Sequence, residues 1–175
     1  MSSLIQATRF YLGKAPVADC YAAGSTPVID IRKCERVLFV AQMGVAGGAD
    51  RITFTVDACN NVTPSLTAQC DIWYRLGNGA ASDLGESMAD VVHQDTPATG
   101  STQILAADCA GTLHLIEVEA AECKRRGRLA ATAFDAVGVR LTWATSAAGG
   151  IVGSVLAIMT GVRYQSDKLV AGLYA

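Results

Sequence analysis

The segment Arg51-Ile52-Thr53-Phe54-Thr55-Val56-Asp57 places an apolar side chain at every second position. Alternate residues of a strand point to opposite faces, so this spacing builds one apolar and one polar face. It does not suit a helix, whose apolar stripe recurs every three to four residues. A half-apolar strand is stable only where a second layer covers it, which makes packed sheets the natural solution. Val37-Leu38-Phe39-Val40-Ala41, just upstream, is continuously apolar, as in a strand covered on both sides. Gly44 to Asp50 between them reads as a Gly-rich turn, and two strands so joined are expected to form a β-hairpin.

The same reading finds strands at Leu4 to Leu12, Val28 to Ile31, Asp71 to Leu76, Leu113 to Val118, Val139 to Trp143 and Ile151 to Met159. Leu141 to Val162 carries no charge and contains the spacing Gly149-x-x-x-Gly153, as membrane helices do. Thr142, Thr145, Ser146 and Gly149-Gly150 divide it, however, and its halves are rich in β-branched and aromatic residues. Two core strands joined by a turn are expected, and no membrane partner. Glu117 to Arg126, acidic early and basic late, is expected to give a short helix, with a second short one near Leu84 to Val92. Residues 77–111, polar and rich in Gly and Asp, read as a long excursion with little regular structure.

Short strands separated by Gly, Asn, Ser and Pro clusters predict an all-β fold: an antiparallel β-sandwich, jelly-roll or Ig-like, with at most one or two short helices. Residues 1–26 are expected to form an N-terminal arm and 27–175 a single domain. The length of 175 residues and 51% hydrophobic content suffice for one sizeable core. A net charge of −2 lacks the basic excess that phosphate neutralisation requires, so nucleic acid is not expected as a partner. Charged residues make up only 17% of the chain and 17 residues are Gly, which leaves a surface of small, weakly polar groups suited to contact between subunits. Met1 to Arg9 shows no basic region followed by an apolar run, and synthesis in a cytosol is expected.

Catalytic constellations are sparse. The two histidines lie apart: His114 within the strand Leu113-His114-Leu115, where a half-buried or surface position is expected, and His93 in the polar excursion. Neither is accompanied by a Gly-x-Ser-x-Gly elbow or a His-Glu-x-x-His pair. Alternation points Glu117 and Glu119 together toward water, as solvated carboxylates rather than an acid/base pair with Glu122. Gly44 to Gly48 lacks the Gly-Lys-Ser/Thr ending of a phosphate loop. Lys124, Arg125, Arg126 and Arg128 have no interleaved aromatics and read as a solvated helix end. Asn60 and Asn61 suit a turn before Pro64. Cys20, Cys34, Cys59, Cys70, Cys109 and Cys123 form no Cys-x-x-Cys pair and are expected as reduced, buried residues, so neither a metal nor a cofactor is expected. No enzymatic activity is expected.

Four stretches resemble a family of small β-sandwich virion proteins of tailed bacteriophages, the head decoration or cement type. They are Val28-Ile29-Asp30-Ile31 with Glu35 to Val40; Gly44 to Asp50 with Ile52 to Asp57; Leu115 to Glu122; and Val139 to Trp143 with Ile151 to Met159, closing at Gly161-Val162-Arg163-Tyr164. The resemblance covers about two-thirds of the chain; residues 77–111 and Leu129 to Ala136 have no counterpart in it.

The resemblance implies a non-catalytic role: binding the outside of the phage capsid and stabilising contacts between major capsid protein subunits. The protein would be made in the bacterial host cytoplasm and end in the virion, on the capsid surface. Partners would be the major capsid protein and copies of itself, as a trimer or other small homo-oligomer. The apolar and aromatic terminal residues Leu4, Phe10, Tyr11, Leu169, Leu173 and Tyr174 are candidate contacts, either clamping a neighbour or completing this domain's own sheet. Two other readings are a head-tail connector or tail structural subunit, and a carbohydrate-binding β-sandwich with Trp73, Tyr74 and Trp143 as platforms.

Overall fold

The computed structural model describes residues 9–17, 24–43, 52–77, 92–94, 104–106, 112–145 and 153–162. In chain order the strands are β1 (Arg9–Val17), β2 (Gly24–Ser25), β3 (Ile29–Asp30), β4 (Arg36–Met43), β5 (Ile52–Cys59), β6 (Thr67–Gln69), β7 (Ile72–Gly77), β8 (Val92–Gln94), β9 (Ile104–Ala106) and β10 (Leu113–Glu119). A helix, α1 (Ala120–Leu129), follows, and then β11 (Gly138–Thr145) and β12 (Gly153–Thr160). The first sheet runs β1-β12-β4-β10-β7-β8; the second has β11 and β5 at its centre, with β2 and β3 on the β11 edge and β6 and β9 on the β5 edge. All pairings among the described residues are antiparallel, and the all-β sandwich expected from the alternation is what the chain forms.

The inner faces interlock as the period of two dictates. From the first sheet Val37, Phe39, Ala41, Ile116, Val118, Val155, Ala157 and Met159 point inward; from the second Phe54, Val56, Ala58, Val139, Leu141 and Trp143 meet them. Phe39, Phe54, Ile116 and Leu141 are fully buried, and residues of this size contribute about 2 kcal/mol each when removed from water.

The expected hairpin is not formed. β4 pairs with β12 and β10, whereas β5 pairs with β11, so β4 and β5 lie in different sheets. β11 and β12 are likewise split between the sheets. Tight hairpin loops run two to five residues, whereas β4 ends at Met43 and β5 begins at Ile52, and stacked sheets lie roughly 10 Å apart. The outcome is two folded ribbons laid side by side, β4–β5 against β12–β11, each ribbon giving one strand to each sheet.

Of the two outcomes open for the N-terminal residues, Arg9–Val17 takes the second: β1 completes the first sheet along β12. The excursion at 77–111 contributes β8 to one sheet and β9 to the other. Most of the short helix expected near Leu84 to Val92 lies outside the described residues, and Val92 itself opens β8.

α1 begins three residues later than expected, because β10 continues through Glu119. The Ala120 amide is satisfied by the Glu35 carbonyl at 2.8 Å in place of a side-chain cap. The helix packs on β5 and β6 through Ala120, Cys123 and Gly127. At its end the Phe134 amide donates to the Gly127 carbonyl at 2.9 Å, and a Cβ on residue 127 would stand 2.7 Å from the Phe134 carbonyl oxygen, so only glycine fits. Lys124, Arg125 and Arg128 are exposed, as a solvated helix end predicts, while Arg126 is half-buried. Arg125 donates to Glu122 at 2.6 and 2.8 Å and to Asp71 at 2.8 Å, Arg126 donates to Glu122 at 2.9 Å and to Asp71, and Glu122 also accepts the Asp71 amide at 3.1 Å. This network ties the helix to the corner between β6 and β7. The expected turn at Asn60 and Asn61 is present: the Asn60 side-chain oxygen accepts the Ser65 and Leu66 amides, each at 3.2 Å.

Candidate functional site

The outward faces of the two sheets differ sharply. On the second sheet the outward positions are Thr53, Thr55 and Asp57 on β5 and Arg140 and Thr142 on β11, a polar, half-buried face. Asp57 and Arg140 sit opposite each other with 3.6 Å between charged atoms; burial raises the Asp57 pKa and Arg140 partly offsets the rise.

The first sheet presents rows instead. Ile158, Leu38, Glu117 and Trp73 lie side by side across β12, β4, β10 and β7; the next row is Leu156, Val40, Leu115 and Arg75. Leu38, Val40, Leu115, Leu156 and Ile158 are half-buried although they face away from the core. A third row closes one end with Thr160, Arg36 and Glu119. The apolar run at Val37–Ala41 was expected to be covered on both sides, and its second face proves to belong to this block.

Arg36 donates to Glu117 at 3.0 Å and pairs with Glu119 at 3.2 Å. Glu117 and Glu119 thus share the outward face that alternation predicts, but each is held by Arg36 rather than solvated alone. With Arg36 about half exposed, each pair contributes at most about 1 kcal/mol; the effect is to fix the orientation of the charges. Beside them runs a groove of about 490 Å³ lined by Arg36, Leu38, Trp73, Arg75, Leu115 and Glu117. Trp73 is 44% exposed there.

Of the three aromatic platforms named from the sequence, Trp73 is exposed and Tyr74 is half-buried, at the wall of the same groove. Trp143 is buried between the sheets, and Tyr74 packs against the core with its hydroxyl 2.9 Å from His114 Nδ1. Alternation separates neighbours: Trp73 shares the outer row with Glu117, while Tyr74 shares the inner one with Ile116.

His114 is not half-buried but fully enclosed. Its Nε2 lies 2.8 Å from Thr112 Oγ1, its ring is tilted against Phe54 at 5.0 Å, and burial pushes its pKa down to about 4. The same parity that puts Glu117 and Glu119 outward puts residue 114 inward, so this position was readable from the strand. Its two ring nitrogens are met by the Tyr74 and Thr112 hydroxyls. His93 lies on β8, opposite Trp73 in the register.

Among the candidate contacts, Phe10 and Tyr11 lie on β1, opposite Ile158 and Ala157; Leu4, Leu169, Leu173 and Tyr174 lie outside the described residues. Cys34, Cys59, Cys70 and Cys123 are buried thiols, while Cys20 and Cys109 lie outside the described residues. Among the described residues no three His, Cys, Asp or Glu side chains gather as a metal site, and no helix is long and apolar enough to cross a membrane. Compared with known proteins, the chain matches no family model, no curated protein and no solved structure, and a functional reading rests on its own residues and geometry.

Proposed function

We propose that this protein is a structural virion component that binds the outside of a tailed-bacteriophage capsid and stabilises contacts between major capsid protein subunits. The observation that carries the reading is the asymmetry of the sandwich: one outward face is threonine-rich and ion-paired, the other a block of Leu38, Val40, Leu115, Leu156 and Ile158 bordered by Arg36, Glu117 and Glu119. An apolar block with an oriented charged rim is the anatomy of a protein-protein interface. The sequence resemblance supplies the kind of partner.

Magnitudes suit a repeated weak contact. Each half-buried aliphatic side chain yields on the order of 1 kcal/mol when fully covered. Five of them roughly match the lower estimates of association cost, about 4 kcal/mol and upward. One copy then binds modestly, and an array held by many symmetry-related contacts binds firmly.

The test is to mix purified protein with expanded empty capsids and count bound copies. Several hundred copies per shell are expected, with greater resistance of the shell to heat. Leu115→Arg should cut occupancy at least tenfold while the fold still melts cooperatively. Absence of binding would refute the reading, and about a dozen copies at one vertex would favour a connector or tail subunit instead.

A second reading draws on one specific observation, the exposed Trp73 in a groove flanked by Arg36, Arg75 and Glu117. An aromatic face with planar polar neighbours also suits a sugar ring. Saturable glycan binding that is abolished by Trp73→Ala would establish it; a silent glycan screen removes it.

A further inference from the structure

We propose that Cys70 and Cys123 form an intramolecular disulfide site, reduced in this structure and closed by a disulfide oxidant. The site does not depend on the virion reading. The two sulfurs lie 3.6 Å apart, both residues fully buried, although 53 positions separate them in the chain. A disulfide needs about 2.05 Å, so the sulfurs must approach by roughly 1.5 Å, a movement on the scale of small side-chain rotations.

Both backbones are already held in place. Cys70 follows β6 and donates its amide to the Val56 carbonyl at 2.9 Å; Cys123 sits on the buried stripe of α1 between Ala120 and Gly127. The flanking residues Asp71 and Glu122 are joined to each other and to Arg125 and Arg126, so a charge network clamps the two segments next to the sulfurs. Cys59 is the competing thiol in this end of the core; its sulfur donates to the Asp57 carbonyl at 3.5 Å, as that of Cys70 does to the Ala68 carbonyl at 3.8 Å, and the sulfur-to-sulfur contact is with Cys123. Cys34 donates to the Asp30 carbonyl at 3.9 Å.

With oxidised glutathione the chemistry balances in two exchanges. One cysteine thiolate attacks a glutathione sulfur, releasing one glutathione thiol and leaving a mixed disulfide on the protein. The other cysteine then attacks the protein sulfur, forming the Cys70–Cys123 bond and releasing the second glutathione thiol; the two protein S–H protons end on the two glutathione thiols. Burial has two consequences. The hydrogen bond to Cys123 and desolvation raise the Cys70 pKa well above its ordinary value, so closure is slow while the helix stays docked. Once made, the bond is shielded from small reductants.

The experiment incubates reduced, folded protein with oxidised glutathione, in buffer and in mild urea, then blocks remaining thiols and maps the linked peptides. The expected result is one Cys70–Cys123 link, formed faster in mild urea, with the melting temperature raised by about 10 °C. Cys123→Ser should yield no internal link and no rise on oxidation. A Cys59–Cys70 link, a stable glutathione adduct alone, or unreacted Cys70 and Cys123 under both conditions would overturn the assignment. The mapping on unmodified protein decides the matter even if the variant fails to fold.

Discussion

Phe54→Ala is expected to lower the unfolding free energy by about 4 kcal/mol, read as a fall in the urea midpoint at an unchanged m-value. Phe54 is fully buried at the centre of β5, directly across the ladder from Trp143. Its ring also packs on His114 from the facing sheet, with centroids 5.0 Å apart and planes tilted by 54°. Truncation therefore removes the aromatic transfer energy, opens a void that two hydrogen-bonded sheets cannot collapse into, and loosens the packing around a buried polar group. Against a total stability of roughly 5–15 kcal/mol, such a loss is a large share of the whole. A change below about 1 kcal/mol would mean that the two inner faces do not meet at this point.

Acidification from pH 7 toward pH 4 is expected to remove up to about 3 kcal/mol through His114 alone. The ordinary histidine pKa is 6.5, and burial lowers that of His114 to about 4 in the folded chain. Below 6.5 the unfolded chain takes up a proton that the folded chain refuses until about pH 4. The stability is thus fully present above 6.5 and declines between those two values.

The hydrogen bonds agree with that direction. A neutral imidazole donates through one nitrogen and accepts through the other, and the hydroxyls of Tyr74 and Thr112 serve it in either sense. The charged ring would donate through both, leaving each hydroxyl to place its own proton elsewhere. Asp57 works in the opposite direction, since its raised pKa favours the folded state on acidification, and Asp30, lowered by its hydrogen bond to Arg32, loses stability at still lower pH. Comparison with His114→Gln, which keeps polar contacts and does not titrate, isolates the effect. The two proteins should diverge in stability slope only below pH 6.5, and parallel profiles from pH 7 to 4 would refute the prediction.

Much of the candidate face was open to a reader of the strands. In Leu113 to Glu119, placing Glu117 and Glu119 outward also places Leu113 and Leu115 outward and His114, Ile116 and Val118 inward, as the structure has it. Trp73 was singled out as an aromatic platform, but its separation from Tyr74 follows only once strand parity is applied. Arg36 as the partner of Glu117 and Glu119 was not legible, because 81 residues separate Arg36 from Glu117 and nothing local announces the pairing.

Amino-acid order by itself determined which side chains share a face of each strand, since backbone geometry alone imposes the period of two, and it thereby determined the all-β class. Only the tertiary structure decided which strands lie side by side. Ladder hydrogen bonds join backbone groups common to nearly every residue, so β4 shows no local preference for β12 over β5; the choice is made by packing across the whole core. That choice assembled Ile158, Leu38 and Trp73 into one row, and the docking of α1 brought Cys123 against Cys70.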